Sequence, residues 1–553
     1  MNMKKKLLLI ITAFFVCFFQ LNAAGQKESE KVSSSMEVDV DPFGVYEEPV
    51  TITVGMRTFG ADQVPTEEGL WFKEYEKYGI NVEVAWSADA SQYDAKVNMA
   101  IASGDIPDVM FVNAGQQLTS LVRGDMVIDV DDYFEFLSPM VKEYLTEGVG
   151  AEALRSVTFD GKTKMLPANV SGLINNSFPL FVRKDWLDTL GMDLPETMDD
   201  FKEIAIAFAK DDPDQNGKDD TYGLAVMGKT NLIVDWGGLY GFFAGYGVQP
   251  CTWYDGMLFY SEDENGNAVW DGKKTEVKEG LQLLADLYEA GAIPADFPTM
   301  DGTRVTEDLT AGIAGMVFGV RGLPIWAFPN AFKTNENAEW YCVNMPVAEA
   351  GASPTLFAYQ PVNVGYVISK ECENPEAAIK MANITSMLKD PFSPDVDPAF
   401  TVDRSVTGDV VIEIINPLQE QMENELFFEA ISNNDKSLCP PNLVERYDFV
   451  NDFINNKTPE NWRWWNAFYP APGHAWYHTF VVNTPEIIKK NVWWKLPSAK
   501  MNSKLPIYKK MAEETMTKII MGIEPASEWD VMVANWEKLG GAEMTTEVQA
   551  SLK

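Results

Sequence analysis

Apolar and polar positions along the chain change period several times, and each change predicts an element. Strict alternation at Val50, Ile52, Val54 and Met56 predicts a strand. Trp71, Tyr75 and Tyr78 then recur at i, i+4 and i+7, a helical spacing that stops at Gly79, and alternation returns at Ile80, Val82, Val84 and Trp86. A second helix, around Tyr93 to Ser103, stops at Gly104 and leads into the apolar run Val109 to Val112. Strand, helix, strand, helix, strand with short connections predicts an α/β fold on a largely parallel sheet.

The pattern resumes further on with different content. Phe181-Val182 opens a strand or turn that feeds Lys184-Asp185-Trp186-Leu187. A helix over Met198 to Lys210 places Phe201, Ile204, Ala205 and Phe208 on one face, and Thr197 and Asp200 are spaced as a capping box. Leu281, Leu284, Leu287 and Tyr288 line another helix, and Ala314 to Val320 is a short apolar strand. Asn374-Pro375 supplies a cap and a first-turn proline for a further helix. Beyond about Ile415 the pattern is less regular and rich in Trp and Pro, including Trp462, Trp464, Trp465, Trp476, Trp493 and Trp494. There is no repeat of fixed period.

A length of 553 residues with 46% apolar content predicts two or more packed domains. Charge narrows the partners: 44 basic against 82 acidic residues leave a net charge of −38, a field that repels phosphate backbones and anionic lipid. Nucleic acid is therefore not an expected partner. Lys4, Lys5 and Lys6 precede the apolar run Leu7 to Leu21, and Asn22-Ala23-Ala24-Gly25 follows, which reads as a signal peptide over 1–23. The run is too short to span a bilayer, which takes about 20 residues. A polar, Ser- and Glu-rich stretch over 24–48 reads as a flexible tether, and the protein as exported. Phe14-Phe15-Val16 stands before Cys17 where a lipid-attachment site wants small residues, so lipid anchoring is the lesser expectation. Cys251, Cys342, Cys372 and Cys439 allow one or two disulfides whose pairing the sequence leaves open.

The sharpest local signal is Asp211 to Asp220, D-D-P-D-Q-N-G-K-D-D. Asp212, Asp214 and Asn216 occupy positions 1, 3 and 5 of a calcium loop, Gly217 makes the sharp turn, Lys218 offers its carbonyl at position 7, and Asp220 stands at position 9. Hard oxygen donors converging from alternate positions of a turning loop suit calcium. Position 12, a bidentate glutamate in an EF-hand, is Gly223 here, so the loop departs from that motif, and a bound ion would stiffen a helix-to-strand connection rather than serve chemistry.

Several phrases occur together in order: Ile101-Ala102-Ser103-Gly104-Asp105-Ile106-Pro107-Asp108; Val182-Arg183-Lys184-Asp185-Trp186-Leu187 with Leu190-Gly191 and Leu194-Pro195-Glu196-Thr197; Asp212 through Lys218 with Asp220-Thr221-Tyr222-Gly223; Ala311-Gly312-Ile313-Ala314-Gly315-Met316; and Ile368-Ser369-Lys370 with Asn374-Pro375-Glu376-Ala377-Ala378. Through them the chain, from about residue 50 to 385, resembles the family 1 extracellular solute-binding proteins of ABC importers, especially the larger oligosaccharide-binding, lipoprotein-type branch. The resemblance implies a type II periplasmic-binding-protein fold: two α/β lobes with a hinge and an interlobe ligand cleft, here with an extra, mostly helical C-terminal region. It implies a monomer that captures an oligosaccharide by lobe closure and delivers it to the importer's membrane subunits, with no organic cofactor. It also implies a structural calcium ion at Asp212, Asp214, Asn216, Lys218 and Asp220. The lobes are expected at 49–165 (lobe 1), 166–312 (lobe 2), 313–400 (return to lobe 1 and hinge) and 401–553 (a Trp-rich completion of both).

Ligands of open α/β sheets lie beyond the carboxyl ends of the strands. That selects Arg57 and Phe59 after the first strand, Asn113 after the third, Asn169 and Ser171 after the Leu166-Pro167 turn, and Arg321 after Ala314 to Val320. Sugars present an apolar ring face and a rim of hydroxyls, which asks for flat aromatics beside planar polar groups. Trp236, Tyr246, Trp253, Trp326 and Trp476 are the aromatic candidates. Enzymes leave little trace. The two histidines, His474 and His478, have helical spacing but Pro470, Pro472 and Gly473 argue against a helix, and no nucleophile elbow or phosphate loop occurs. A glycosidase needs only two carboxylates about 5–10 Å apart, so a carbohydrate-active hydrolase is the alternative from another class, and a peptide or other solute the alternative ligand.

Overall fold

The computed structural model describes residues 40–58, 69–168, 178–229, 232–233, 236–251, 258–358, 362, 364–401, 410–493 and 498–552. The expected leader and the site candidates Phe59, Asn169, Ser171 and Trp253 lie outside the described residues.

Val50–Thr58 sits between Ile80–Asp89 and Val109–Asn113 and runs parallel to both, as strands joined through helices must. Val364–Ile368 then pairs antiparallel with Val109–Asn113, and Leu166–Ala168 closes the edge, antiparallel to Val364–Ile368. The five-stranded sheet is thus mixed rather than largely parallel. Its fourth strand returns from the other lobe instead of through a local helical crossover. Side-chain alternation shares this sheet between two cores. Ile52, Val54, Met56, Tyr366 and Ile368 pack with Trp71 and Tyr75 of the helix Leu70–Glu76 and with Ala378 and Met381 of Pro375–Lys389. Met110, Val112 and Val367 face the opposite way, onto Tyr93 and Val97 of Ala90–Ser103 and Leu118 of Gln116–Arg123. Helices on both faces are what a buried parallel strand set requires. The helix Ala90–Ser103 begins where the Asp89 carboxylate accepts from the Ser91 N–H and ends at Gly104 with φ +75°, the left-handed stop that glycine adopts without a Cβ penalty.

The second sheet orders Trp340–Val343, Leu180–Arg183, Ala314–Phe318 and Tyr222–Leu224. Ala314–Phe318 is parallel to Tyr222–Leu224 and antiparallel to Leu180–Arg183. Every residue of Leu180–Arg183 and Ala314–Phe318 is buried, so these strands carry unbroken apolar runs except at Arg183. A Cβ on Gly315 would lie 2.2 Å from Phe208, so only glycine lets the helix Met198–Lys210 approach the strand this closely. The Thr197–Asp200 capping box forms as spaced. Asn374, in contrast, makes no side-chain cap, and Pro375 alone marks that helix start.

Three expectations about the chain path need correction. Leu166–Ala168 belongs to lobe 1, and Ala314–Phe318 and Trp340–Val343 belong to lobe 2, so the return expected at 313 falls between Leu356–Ala358 and Val364–Ile368. A third passage runs from Ile414, buried in the lobe 1 core, to the helix Gln419–Asn433 of lobe 2. The irregular-looking region after 415 is helical: Gln419–Asn433, Val444–Asn456, Trp462–Phe468, Ala499–Ile520, Glu528–Trp536 and Ala542–Ser551 all bury side chains in the lobe 2 core and complete that lobe alone. Residues 41–48, read as tether, are partly docked. Phe43 and Tyr46 pack on the lobe 1 core, the Tyr46 hydroxyl donates to Glu376 at 3.1 Å, and Lys380 donates to the Gly44 carbonyl. Among the described residues, Cys251, Cys342, Cys372 and Cys439 are buried and form no disulfide. Burial pushes the Cys372 and Cys439 thiols up, to about 12 and about 11. Each packs as a small apolar side chain instead of pairing.

Candidate functional site

In lobe 1, Arg57 near the end of Val50–Thr58 lays its guanidinium 5.1 Å from the Phe111 ring centre. Asn113, last residue of its strand, is held from two sides. Its N–H donates to Gln117 Oε1 at 2.8 Å and its side-chain amide to Asp94 Oδ1 at 3.1 Å. Asp94, Gln117 and Phe111 thus belong to the polar edge at these strand ends, although no sequence spacing singles them out.

The richer cluster is in lobe 2. Arg321, three residues beyond Ala314–Phe318, forms an ion pair with Glu420. Its guanidinium also lies 5.1 Å from the Trp476 ring centre and 5.3 Å from that of Phe480. Glu420 stands in the first turn of Gln419–Asn433, where the helix dipole favours a negative charge. That turn comes directly after the chain has left the lobe 1 core at Ile414, which puts the pair beside an interlobe passage. Trp476 is not an open platform: it is buried, with one face stacked on Phe468 at 4.0 Å and 30°. Its ring steadies Arg321 instead.

Trp326 is different. It remains 47% exposed, more than any other tryptophan among the described residues. Trp236 meets it edge to face, 4.9 Å between centres and 87° between planes, which fixes its orientation. The indole folds back over the turn that carries Arg321: a Cβ on Gly322 would fall 2.9 Å from Trp326 Nε1. The sequence candidates Trp236, Arg321, Trp326 and Trp476 are therefore brought into one neighbourhood, with Glu420 and Phe480 added by the fold. Tyr246 lies apart from it. Its ring packs on Phe242, and it lines a separate groove of about 480 Å³ with Glu276, Glu279 and Glu349.

Arg183, part of a motif phrase, is structural. It is 1% exposed, donates twice to Asp185 at 2.8 and 2.6 Å, and stacks against Trp186 and Trp340. His478 opens the helical turn His478–Val482, whereas His474 stays extended just before Ala475–Tyr477, so the two do not share a helix, as Pro470, Pro472 and Gly473 predict. They serve packing: His474 Nδ1 meets the Asn466 carbonyl at 3.1 Å, His478 Nε2 meets Asn344 Oδ1 at 2.7 Å, and burial pushes both imidazoles down to about 4. Buried neutral rings aimed at different partners do not make a metal site.

The loop 211–220 turns as its spacing requires, with φ of +46° at Asp212, +55° at Gln215 and +76° at Gly217. Asn216 donates its side-chain amide to Asp214 at 2.7 Å and Asp220 at 3.0 Å, while the Gly217 N–H reaches Asp212. Burial and the neighbouring Asp212 and Asp220 charges push the Asp214 carboxyl up. The donor set is chemically that of a calcium site. Among the described residues, though, no group of three or more Asp, Glu, His or Cys is arranged to hold a metal. The lobes are joined near one passage by an ion pair between Glu152 of the helix Gly148–Ser156 and Lys490 of the strand Ile488–Lys490. No helix among the described residues is long and apolar enough to cross a membrane.

Comparison with known proteins supplies the frame for this geometry. Residues 60–383 match the model of the bacterial extracellular solute-binding protein family. Lipoprotein LipO of Bacillus subtilis is 31% identical over 255 residues, 46% of this chain and 47% of that one. The polygalacturonan/rhamnogalacturonan-binding protein YtcQ of the same organism is 30% identical over 45% and 46% of the two chains. The chain thus spans about half the length of the curated relatives it matches. Among solved structures, an ABC-transporter-associated solute-binding protein of Bifidobacterium longum infantis superposes with a TM-score of 0.63 at 16% identity, over 92% of this chain and 99% of that one. That likeness shows the two-lobe fold and extends it over the C-terminal helices, where sequence resemblance ends. With more than half of its length matched by the family model and the two lobes built as that family's are, the chain belongs to the bacterial extracellular solute-binding proteins.

Proposed function

We propose that this protein captures an oligosaccharide outside the cytoplasmic membrane and delivers it, unmodified, to an ABC importer. The observation that carries this reading is Trp326, half-exposed and held edge-on by Trp236, beside the planar, anchored Arg321–Glu420 pair at an interlobe passage. An indole face receives the apolar side of a sugar ring while adjacent donors and acceptors take its hydroxyls. Relatives named for binding polygalacturonan or rhamnogalacturonan and fructooligosaccharide support the ligand class. Closure of the two lobes would exclude water from those hydrogen bonds.

A thermal-shift screen against oligosaccharides, followed by chromatography of the recovered sugar, tests the reading. A ligand at about 100 times its Kd adds roughly 2.7 kcal/mol of stability, and the sugar should return intact. Fragmented sugar would place the protein among hydrolases, and no shift with any glycan would point to a peptide or other solute. The same reading gives the loop 211–220 a calcium ion, with Asp212, Asp214, Asn216, Asp220 and the Lys218 carbonyl as donors, stiffening lobe 2. Calcium should raise the melting temperature relative to EGTA in the wild type and leave Asp214→Asn unmoved; equal melting of the wild type in both would remove calcium from the account.

A further inference from the structure

Arg321 is the cation of the lobe 2 aromatic cluster, and an arginine in a sugar site ordinarily suggests a carboxylate on the ligand. The surroundings of Arg321 argue otherwise. Its guanidinium is already in contact with the Glu420 carboxylate, and its faces are taken by Trp476 and Phe480. The side chains of the pair are 18% and 38% exposed, so both charges stay within reach of a ligand while their sum is near zero. Arg183 cannot supply a second cation, being buried against Asp185. A carboxylate arriving at Arg321 would meet the Glu420 carboxylate at the same place, within a chain of net charge −38. Close like charges are strongly unfavourable. A sugar hydroxyl both donates and accepts, so adjacent hydroxyls find an N–H donor on Arg321 and an acceptor oxygen on Glu420 side by side.

We propose, building on the carbohydrate-binding reading, that the Arg321–Glu420 pair is a charge filter: the ligand is an uncharged oligosaccharide, and Glu420 sets that selectivity. Glu420 selects against uronates by occupying the position their carboxylate would take. The relative named for polygalacturonan, an acidic polymer, is then a member of the family with different selectivity.

Calorimetric titration of the full chain with two sets of probes tests this: malto-, fructo-, xylo- and arabino-oligosaccharides on one side, galacturonate oligomers of equal length on the other, each at low and high salt. The wild type should bind at least one neutral probe about tenfold or more above any uronate, a difference that corresponds to about 1.4 kcal/mol. Glu420→Gln should narrow that ratio at least about fivefold, by weakening the neutral ligand and strengthening the uronate, and high salt should reverse the uronate gain. Glu420→Asp keeps the charge and should keep the neutral preference, which separates charge from folding, and the melting temperature of each variant is recorded alongside. Uronates bound as tightly as neutral sugars by the wild type, or a uniform loss for both classes in Glu420→Gln, would overturn the filter while leaving carbohydrate binding standing. Binding of no member of either set would remove the carbohydrate reading itself, and the filter with it.

Discussion

Lobe 1 and lobe 2 share a plan, a mixed sheet covered by helices on both faces, yet they use their sequence differently. Lobe 1 is built from local units. Its first three strands alternate with helices in chain order, and its strand ends present Arg57, Asn113, Asp94 and Gln117 on a polar edge. Lobe 2 takes its sheet from four separated segments and then recruits the helices from Gln419–Asn433 to Ala542–Ser551. It carries the buried Arg183, both histidines, the tryptophan pair and the charge-compensated arginine. The difference teaches that lobe 2 depends on contacts between distant segments to anchor its charged and aromatic cluster, whereas lobe 1 builds its polar edge from residues close in the chain.

Acid should separate the lobes most strongly. His474 and His478 ordinarily titrate near 6.5 but are held at about 4. A folded-state pKa below the unfolded one leaves stability intact above pH 6.5 and removes it as pH falls from 6.5 towards 4. Each ring then contributes a loss of roughly 3 kcal/mol by pH 4, and lobe 1 has no histidine. Hydrogen exchange between pH 7 and 4.5 should show lobe 2 amides opening first; earlier opening of lobe 1 would sink this. Next in size is Asp185→Ala, which strands the buried Arg183 guanidinium. A loss of about 3–5 kcal/mol in urea melts is expected, and a loss below about 1 kcal/mol would mean that Arg183 finds another acceptor or water. Trp326→Ala should weaken oligosaccharide binding by about 1–2 kcal/mol with the melting temperature unchanged, whereas unaltered affinity would move the platform elsewhere. Smallest is Glu152→Ala at the interlobe ion pair, expected within about 1 kcal/mol of wild type in both stability and affinity because the pair is solvent-exposed. A larger change in affinity alone would make it a determinant of lobe closure.

Legibility in the sequence followed how local each feature is. Val50–Thr58, Ala90–Ser103, Met198–Lys210 and Thr275–Glu289 appear where periodicity, caps and the stops at Gly79 and Gly104 predict them, since those signals act within a few residues. The helices after 415 were hidden because Trp462–Phe468 and its neighbours bury more than one side, which erases a one-sided apolar stripe. Within the candidate site, Arg321 was readable as a residue beyond a strand end, and Trp236 and Trp326 as aromatic candidates. Glu420 and Phe480 were not, since nothing at those positions marks them as partners of a residue about a hundred or more positions earlier.

What the sequence by itself determined is therefore the α/β class, most of the element starts and stops, the calcium-type spacing at 212–220 and the membership that its ordered motifs announce. Each depends on neighbours in the chain. Tertiary structure alone decided that the first sheet closes with two antiparallel strands, that the four described cysteines form no disulfide, that Trp476 is buried on Phe468 beside Arg321, and that Arg321 pairs with Glu420. Those outcomes depend on which distant segments share a core, and a side chain's partner, burial and effective charge exist only once that core has formed.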